Sequence, residues 1–269
     1  MRCRERYISM TDTQKDIQTK TLKETIDLDV FEQRFMRRYK IKKVVNAIVS
    51  FLIVFCGVSA VLYSVFVFHN NLFNRMRYMT FDGTLFTTLI SLISGFVFID
   101  EARKDTEVTN RKVYFLRLSS AVTEFVIFIV VMFGLTPLVP DNPDVTSYTG
   151  IMMHLVIPFL MLLSFMFNDA PIGRLKPLEP LYGTTYITIY ALIMLVLFGL
   201  RILPSRLAPY SFLDFDNTGW GFKLMCLAGI YIVGYTIAVI LAFLNSKLSW
   251  IWFYDLNETK LKNIRIGGK

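Results

Sequence analysis

Six long apolar stretches separated by polar connections dominate the pattern of the chain. Each is close to the roughly 20 residues that an α-helix needs to cross the hydrocarbon of a bilayer, at about 1.5 Å per residue. The pattern predicts an all-α bundle of six transmembrane helices, with no room for a separate globular domain. The stretches lie at about residues 44–68, 81–99, 113–136, 151–167, 183–200 and 222–244.

The composition agrees with a membrane protein. Of the 269 residues, 54% are hydrophobic and only 19% are charged. The first apolar stretch begins near Val44 and is too long for the core of a cleavable signal peptide, so we expect it to stay as a span. The cysteines Cys3, Cys56 and Cys226 have no paired spacing that would indicate a disulfide or a zinc site.

The distribution of positive charge predicts the orientation. The net charge is +8, and 24 of the 29 Lys and Arg residues lie in the N-terminal tail, the 100–117 and 168–182 connections and the C-terminal tail. Basic residues collect on the cytoplasmic side of membrane proteins, so both termini are predicted to be cytoplasmic. This explains the charge without a nucleic-acid partner. We expect a multi-pass protein of the cell membrane.

The regions outside the bundle are a tail over residues 1–43 and a basic tail over 246–269. We expect residues 1–30 to be disordered. From Phe31 the sequence becomes a basic amphipathic stretch, which is a topological anchor or, alternatively, a binding surface for anionic lipid headgroups. Its basic residues are Arg34, Arg37, Arg38, Lys40, Lys42 and Lys43.

Small hydroxyl residues recur at three- and four-residue steps along the second span. Such a stripe predicts a face that packs against protein, with hydroxyls bonded to the preceding turn or to a neighbour. The stripe consists of Thr80, Thr84, Thr87, Thr88, Ser91, Ser94 and Gly95. Two further sets at helical spacing predict packing surfaces in the fifth and sixth spans: Tyr186 and Tyr190, and Gly229, Gly234, Ala238 and Ala242.

The third span carries Arg117, Ser120, Thr123 and Glu124 on roughly one face. Glu124 is predicted to lie near the middle of the membrane and therefore to face the bundle, because a charge exposed to lipid is costly. Two interpretations stay open. Glu124 is either a structural buried acid or a group on a substrate or proton path.

The common motifs of nucleotide, metal and hydrolase sites are absent: Walker A, GxGxxG, GxSxG, HExxH and CxxC. Asp214-Phe215-Asp216 has the spacing of a metal-binding acidic pair, but such a pair is common by chance. The two histidines are far apart and form no metal cluster in the sequence. We therefore predict neither a metal nor a cofactor.

Several polar residues converge on the predicted outer face. Thr80 opens the second span, His154 opens the fourth, and Asp214 precedes the sixth, with Asp82 at a depth similar to that of Thr80. A hydroxyl nucleophile needs a base within hydrogen-bond reach and a group that orients the base. Thr80, His154 and either Asp82 or Asp214 would supply this set. The alternatives are a helix N-cap for Thr80 and a structural buried imidazole for His154.

Two neighbouring residues extend this hypothesis. Cys226, about one turn into the sixth span, is a variant nucleophile, although apolar surroundings disfavour its thiolate. Pro158 lies one turn after His154 and lacks a backbone N–H, so it predicts a kink or a locally opened helix.

Four short motifs in order resemble a six-span superfamily that includes the androgen-induced membrane hydrolases and a bacterial family of unknown function. They are Arg77-Tyr78-Met79-Thr80-Phe81, His154 with Pro158, Tyr186 with Tyr190, and Pro209-Tyr210-Ser211-Phe212-Leu213-Asp214. The resemblance covers about residues 44–245 and is nearer to the bacterial branch. Two features depart from the animal enzymes: the shorter step from His154 to Pro158, and Ser211 in place of a proline.

The resemblance implies an enzyme that cleaves fatty acid esters of hydroxy fatty acids with an intramembrane threonine and histidine, which match Thr80 and His154. Such a lipid hydrolase or acyltransferase would act on membrane lipids or fatty acyl esters at the outer face. The alternative is a non-enzymatic carrier or sensor that binds a small ligand or a proton through His154 and Glu124. A carrier should fail in Glu124→Gln, whereas the esterase should survive it.

Overall fold

The computed structural model describes residues 12–67, 76–104, 110–135, 146–169, 175–208, 219–249 and 251. Its regular elements are all helical, and six helices are long and apolar enough to cross a membrane. We call them α1 to α6. The prediction of an all-α, multi-pass bundle of six helices is confirmed.

The helices extend a few residues beyond most of the predicted stretches. Helix α1 covers Asp12–Phe66, with its membrane-like part at Gln33–Phe66, and α2 covers Met79–Arg103. The remaining candidate spans are α3 at Arg111–Phe133, α4 at Tyr148–Asn168, α5 at Glu179–Gly199 and α6 at Trp220–Leu248. A short 3-10 turn, Ser205–Leu207, follows α5.

The expectation of disorder over residues 1–30 is wrong from Asp12 onward, because α1 is continuous from there. No glycine or proline lies between Asp12 and Cys56. These two residues are the strongest helix breakers, so the sequence contains no signal that would end the helix before the membrane. Residues 1–11 and most of the C-terminal tail lie outside the described part of the chain.

Helix α3 lies at the centre of the bundle, whereas α6 lies at its edge. The most apolar window of α3 is 61% buried, against 28% for α6. Around α3, the main apolar core joins side chains of α1, α4, α5 and α6, including Ile53, Leu118, Ile157 and Ala238. The exposed apolar face of α6 is the kind of surface that a helix presents to lipid.

The predicted polar faces of α2 and α3 do face protein. On α3, Arg117, Ser120, Thr123 and Glu124 are each 0% exposed. On α2, Thr84, Thr87, Ser91 and Ser94 are buried as well. The α6 packing prediction is confirmed for Gly234, Ala238 and Ala242, but it is wrong for Gly229, which is exposed and has no neighbour within 4 Å of an added Cβ.

Two lysines of the basic stretch are buried inside the bundle and do not lie at a lipid-facing surface. Lys42 donates a hydrogen bond of 2.8 Å to the carbonyl of Ser249, and Lys43 forms an ion pair with Glu101. The charges therefore tie α1 to α6 and to α2. Arg34, Arg37 and Lys40 are exposed. Topological anchoring or binding of anionic lipid headgroups therefore stays a prediction for these three residues.

A buried polar network surrounds Arg117 at the same end of the bundle. Its Nε donates to Asp169 at 2.6 Å, and its other nitrogens donate to Ser164 at 2.7 Å and Ser50 at 3.2 Å. Asn245 on α6 donates to the backbone carbonyl of Asp169 at 2.9 Å. Each buried group thus has hydrogen-bond partners, and the network fastens α1, α3, α4 and α6 together.

Candidate functional site

His154 lies in a locally widened turn of α4. Residues Met152–Val156 form a π-helical turn, in which the N–H of Ile157 bonds the carbonyl of Met152. Pro158 follows within the next α-helical segment. The predicted local opening of the helix is confirmed, and π-helical turns are frequent at functional sites. The side chain of His154 is half-buried.

Thr80 is the second residue of α2 and is half-buried. The N-cap of this helix is Tyr78, which makes no side-chain capping bond. The alternative of an N-cap role for Thr80 is therefore wrong, because the helix begins one residue before Thr80. The Thr80 hydroxyl therefore does not serve as the N-cap of α2.

The sequence neighbours of Thr80 and His154 pack against each other. Phe81, Met153 and Ala60 form a buried cluster, which joins the start of α2 and the π-helical turn of α4 to α1. The structure thus brings together the two segments that carry the proposed nucleophile and base. The direct pairing of the Thr80 hydroxyl with the His154 imidazole stays a prediction.

Asp82 is held by a tyrosine. The Tyr186 hydroxyl donates a hydrogen bond of 3.0 Å to Asp82 Oδ2, and the ring of Phe86 stacks on Tyr186 at a centroid distance of 4.6 Å. One turn further along α5, Tyr190 donates to the carbonyl of Arg77 at 2.6 Å. The predicted packing role of the two tyrosines is confirmed, but their hydrogen bonds were missed.

Two further sequence candidates are Asp214 and Cys226. Asp214 lies outside the described residues. Cys226 on α6 is a partly exposed free thiol, and Cys56 is a buried one within the main core. Across the described ranges, no group of three or more His, Cys, Asp or Glu residues is arranged to hold a metal ion.

A second polar region lies between α2 and α3. The carboxyl of Glu124 is completely buried, and neither of its oxygens has a hydrogen-bond partner among the described residues. Thr87 faces this carboxyl from α2, but the geometry is too poor for a hydrogen bond. Four hydroxyls are equally buried and equally unpartnered within the described chain: Thr84, Thr87, Ser91 and Ser120.

Two groups of functional interest were thus missed. The stripe on α2 was expected to bond its own helix or a neighbour, and Thr88 and Ser94 do bond their own helix. The unpartnered state of the other buried hydroxyls of the stripe was not predicted. The Arg117 network was not predicted either. The sequence signal for this network was Asn46 within the first apolar stretch and Asn245 directly after the sixth, because such polar residues are costly in a membrane and need a partner.

Comparison of the chain with protein-family models, with curated proteins and with solved structures finds no match. The resemblance to the androgen-induced hydrolases is carried by the four short motifs of the sequence.

Proposed function

We propose that the chain is an intramembrane lipid hydrolase or acyltransferase that acts on long-chain fatty acyl esters at the outer membrane face. One observation carries the proposal: the widened turn of α4 that contains His154 packs against the first turn of α2, which contains Thr80. Acyl transfer needs a base within hydrogen-bond reach of the nucleophile, and this packing supports such an arrangement for two residues that are 74 positions apart in the sequence.

In the proposed reaction, the Thr80 hydroxyl attacks the acyl carbonyl carbon while His154 takes its proton. The bond to the alcohol then breaks, and the imidazolium returns the proton to the departing alcohol oxygen. Water, activated by His154, hydrolyses the acyl-threonine and releases the fatty acid. If a second alcohol replaces this water, the result is acyl transfer. No cofactor is needed.

Asp82 or Asp214 would orient the imidazole. Tyr186 bonds only one oxygen of Asp82 among the described residues, so the other carboxylate oxygen retains its acceptor capacity. The bond from Tyr186 would also fix the rotamer of this carboxylate. Catalytic side chains keep their productive geometry when supporting hydrogen bonds fix the group that orients them.

The surface beside His154 suits a lipid substrate. Ile151, Leu155 and Phe159 are large apolar side chains on the exposed face of α4. They lie within one or two turns of the half-buried His154, where an acyl chain in the bilayer can approach laterally. An ester in the membrane would therefore reach the proposed base without passing through water.

The experiment that tests the proposal measures hydrolysis of a long-chain fatty acyl ester by the purified full-length protein in lipid nanodiscs. Thr80→Ala and His154→Ala should each lower the rate by on the order of 10²–10⁴, and the double variant should be hardly slower than either single one. Thr236→Ala is the matched control, because this exposed hydroxyl on α6 bonds only its own helix. Unchanged rates in both single variants would refute the proposal.

A further inference from the structure

The Glu124 carboxyl has no role in the proposed hydrolysis. Its charge and its missing hydrogen bonds therefore need another explanation. It is completely buried at the centre of the bundle without a partner among the described residues. An isolated ionised carboxyl in such surroundings is very unfavourable, so it must gain a counter-charge or a proton. A proton alone would leave both oxygens without the hydrogen bonds that buried polar groups normally make.

Within the described part of the chain, no cationic side chain pairs with the Glu124 carboxyl. Arg117 is on the same face of α3 but two turns away, about 10 Å along the axis, and its guanidinium is committed to Asp169, Ser164 and Ser50. Other titratable side chains on the surrounding helices include Cys56, Asp82, His154, Tyr186 and Lys223. Lys223 lies in the first turn of α6, over the ring of Trp220.

The surroundings of Glu124 are rich in oxygen atoms. Thr84, Thr87 and Ser91 are on one face of α2, and Ser120 lies one turn before Glu124 on α3. The two helices run antiparallel in close contact, since an added Cβ at Gly83 would lie against Thr123 and Ile127. The hydroxyl stripe therefore faces the helix face that carries Ser120 and Glu124.

We infer that Glu124 and the hydroxyls of Thr84, Thr87, Ser91 and Ser120 form a membrane-embedded binding site for a small monovalent cation, either a proton that the Glu124 carboxyl carries together with bound water, or Na⁺. The donor set is made of one carboxylate and neutral oxygens, which suits a hard cation. One carboxylate balances one positive charge. A divalent ion would leave an uncompensated charge in a medium of low dielectric constant.

The position of the site between two polar pairs agrees with this assignment. Towards the end of the bundle that carries Thr80, Tyr186 donates a hydrogen bond to Asp82, and its ring lies beside Gly83, which faces Thr123 next to Glu124. Towards the other end lies the Arg117 and Asp169 pair. Polar groups thus continue above and below Glu124 along the inside of the bundle.

Infrared difference spectroscopy on the purified full-length protein in nanodiscs tests the inference. In one arm the pH is raised in the absence of Na⁺, and in the other NaCl replaces choline chloride at fixed pH. A carboxyl C=O band should disappear in the first arm if the site takes a proton, and in the second if Na⁺ displaces that proton. The band should be missing in Glu124→Gln and retained in Asp100→Asn, whose carboxyl is exposed.

Two further variants keep the inference falsifiable if Glu124→Gln does not fold. Glu124→Asp keeps a carboxyl and should respond at a shifted pH or Na⁺ concentration. Thr87→Val should weaken cation binding by about tenfold, the equivalent of one lost hydrogen bond. A Glu124 band that responds in neither arm would overturn the inference and leave a permanently protonated structural acid. Thr80→Ala should keep the full infrared response of Glu124. A failure of the hydrolase proposal can therefore be distinguished from a failure of the cation site.

Discussion

The guanidinium of Arg117 donates a hydrogen bond of 2.6 Å to the carboxylate of Asp169, and both side chains are almost completely buried. The pair fastens the second turn of α3 to the end of α4. Ser164, in the second π-helical turn of α4, accepts from the same guanidinium at 2.7 Å. The arrangement holds the end of α4 opposite His154 in a fixed position.

Arg117→Ala should lower the free energy of unfolding by about 3–5 kcal/mol, because it leaves the buried carboxylate of Asp169 without its cation. Thermal unfolding in detergent measures the loss. The matched control is Lys104→Ala, which breaks an exposed pair with Asp100 and should cost only about 0–1 kcal/mol. Equal effects of the two variants would contradict the stabilising role of the Arg117 network.

The close approach of α1 and α2 depends on a glycine. A Cβ at Gly57 would collide with the hydroxyl of Thr88, which is bonded to its own helix at the carbonyl of Thr84. Gly57→Ala should therefore destabilise the bundle by about 1–3 kcal/mol.

Thr88→Ala should restore most of the stability when it is combined with Gly57→Ala, because it removes the colliding atom. Gly229→Ala serves as the control, since its added Cβ meets nothing within 4 Å. Thermal unfolding of Gly57→Ala, the double variant and Gly229→Ala forms a direct test. A double variant as unstable as Gly57→Ala would mean that the contact does not set the helix spacing.

The spans and their inward faces were predictable because they depend on local patterns. A run of about twenty apolar residues predicts a transmembrane helix independently of the neighbouring helices. The spacing of Thr84, Thr87 and Ser91 likewise places these residues on one helix face from the sequence alone. The local opening of α4 was predictable as well, since Pro158 acts on its own helix.

The pairings between helices were not predictable from local patterns. Lys42 and Lys43 looked like a membrane-surface stretch, because the sequence does not show that Ser249 and Glu101 lie beside them. The N-cap interpretation of Thr80 failed for a smaller reason, since helix α2 begins two residues earlier than the pattern suggests. Which helices meet is decided by packing over the whole bundle.

Tyr186→Phe should reduce ester hydrolysis if Asp82 orients His154, because it removes the hydrogen bond that holds this carboxylate. We expect a loss of stability of about 0.6 kcal/mol, the average for such bonds within membrane proteins. Tyr186→Phe should lower kcat and leave KM nearly unchanged, because the position of the base affects the reaction and not the binding of the ester.

Tyr190→Phe is the comparison for this test, because its phenol bonds the backbone carbonyl of Arg77 and leaves Asp82 untouched. An equal fall in kcat for both tyrosine variants would argue against a specific role of Asp82. Steady-state hydrolysis in nanodiscs and unfolding in detergent measure the two quantities separately.

The predicted orientation places the connections near residues 70–79, 138–150 and 201–221 outside. In a background without native cysteines, Asn71→Cys, Asn142→Cys and Ser205→Cys should react with an impermeant thiol reagent applied to intact cells. Thr109→Cys should react only after the cells are opened. The reverse pattern would invert the topology and move the proposed site to the cytoplasmic face.

The identity of the nucleophile is the central claim, and active-site labelling tests it most directly. A long-chain fluorophosphonate should modify the wild-type protein, and peptide mass spectrometry should find the adduct on Thr80. Thr80→Ala and His154→Ala should each abolish the adduct while protein levels stay normal. Full labelling of Thr80→Ala, with the adduct on Cys226 or elsewhere, would contradict the threonine mechanism.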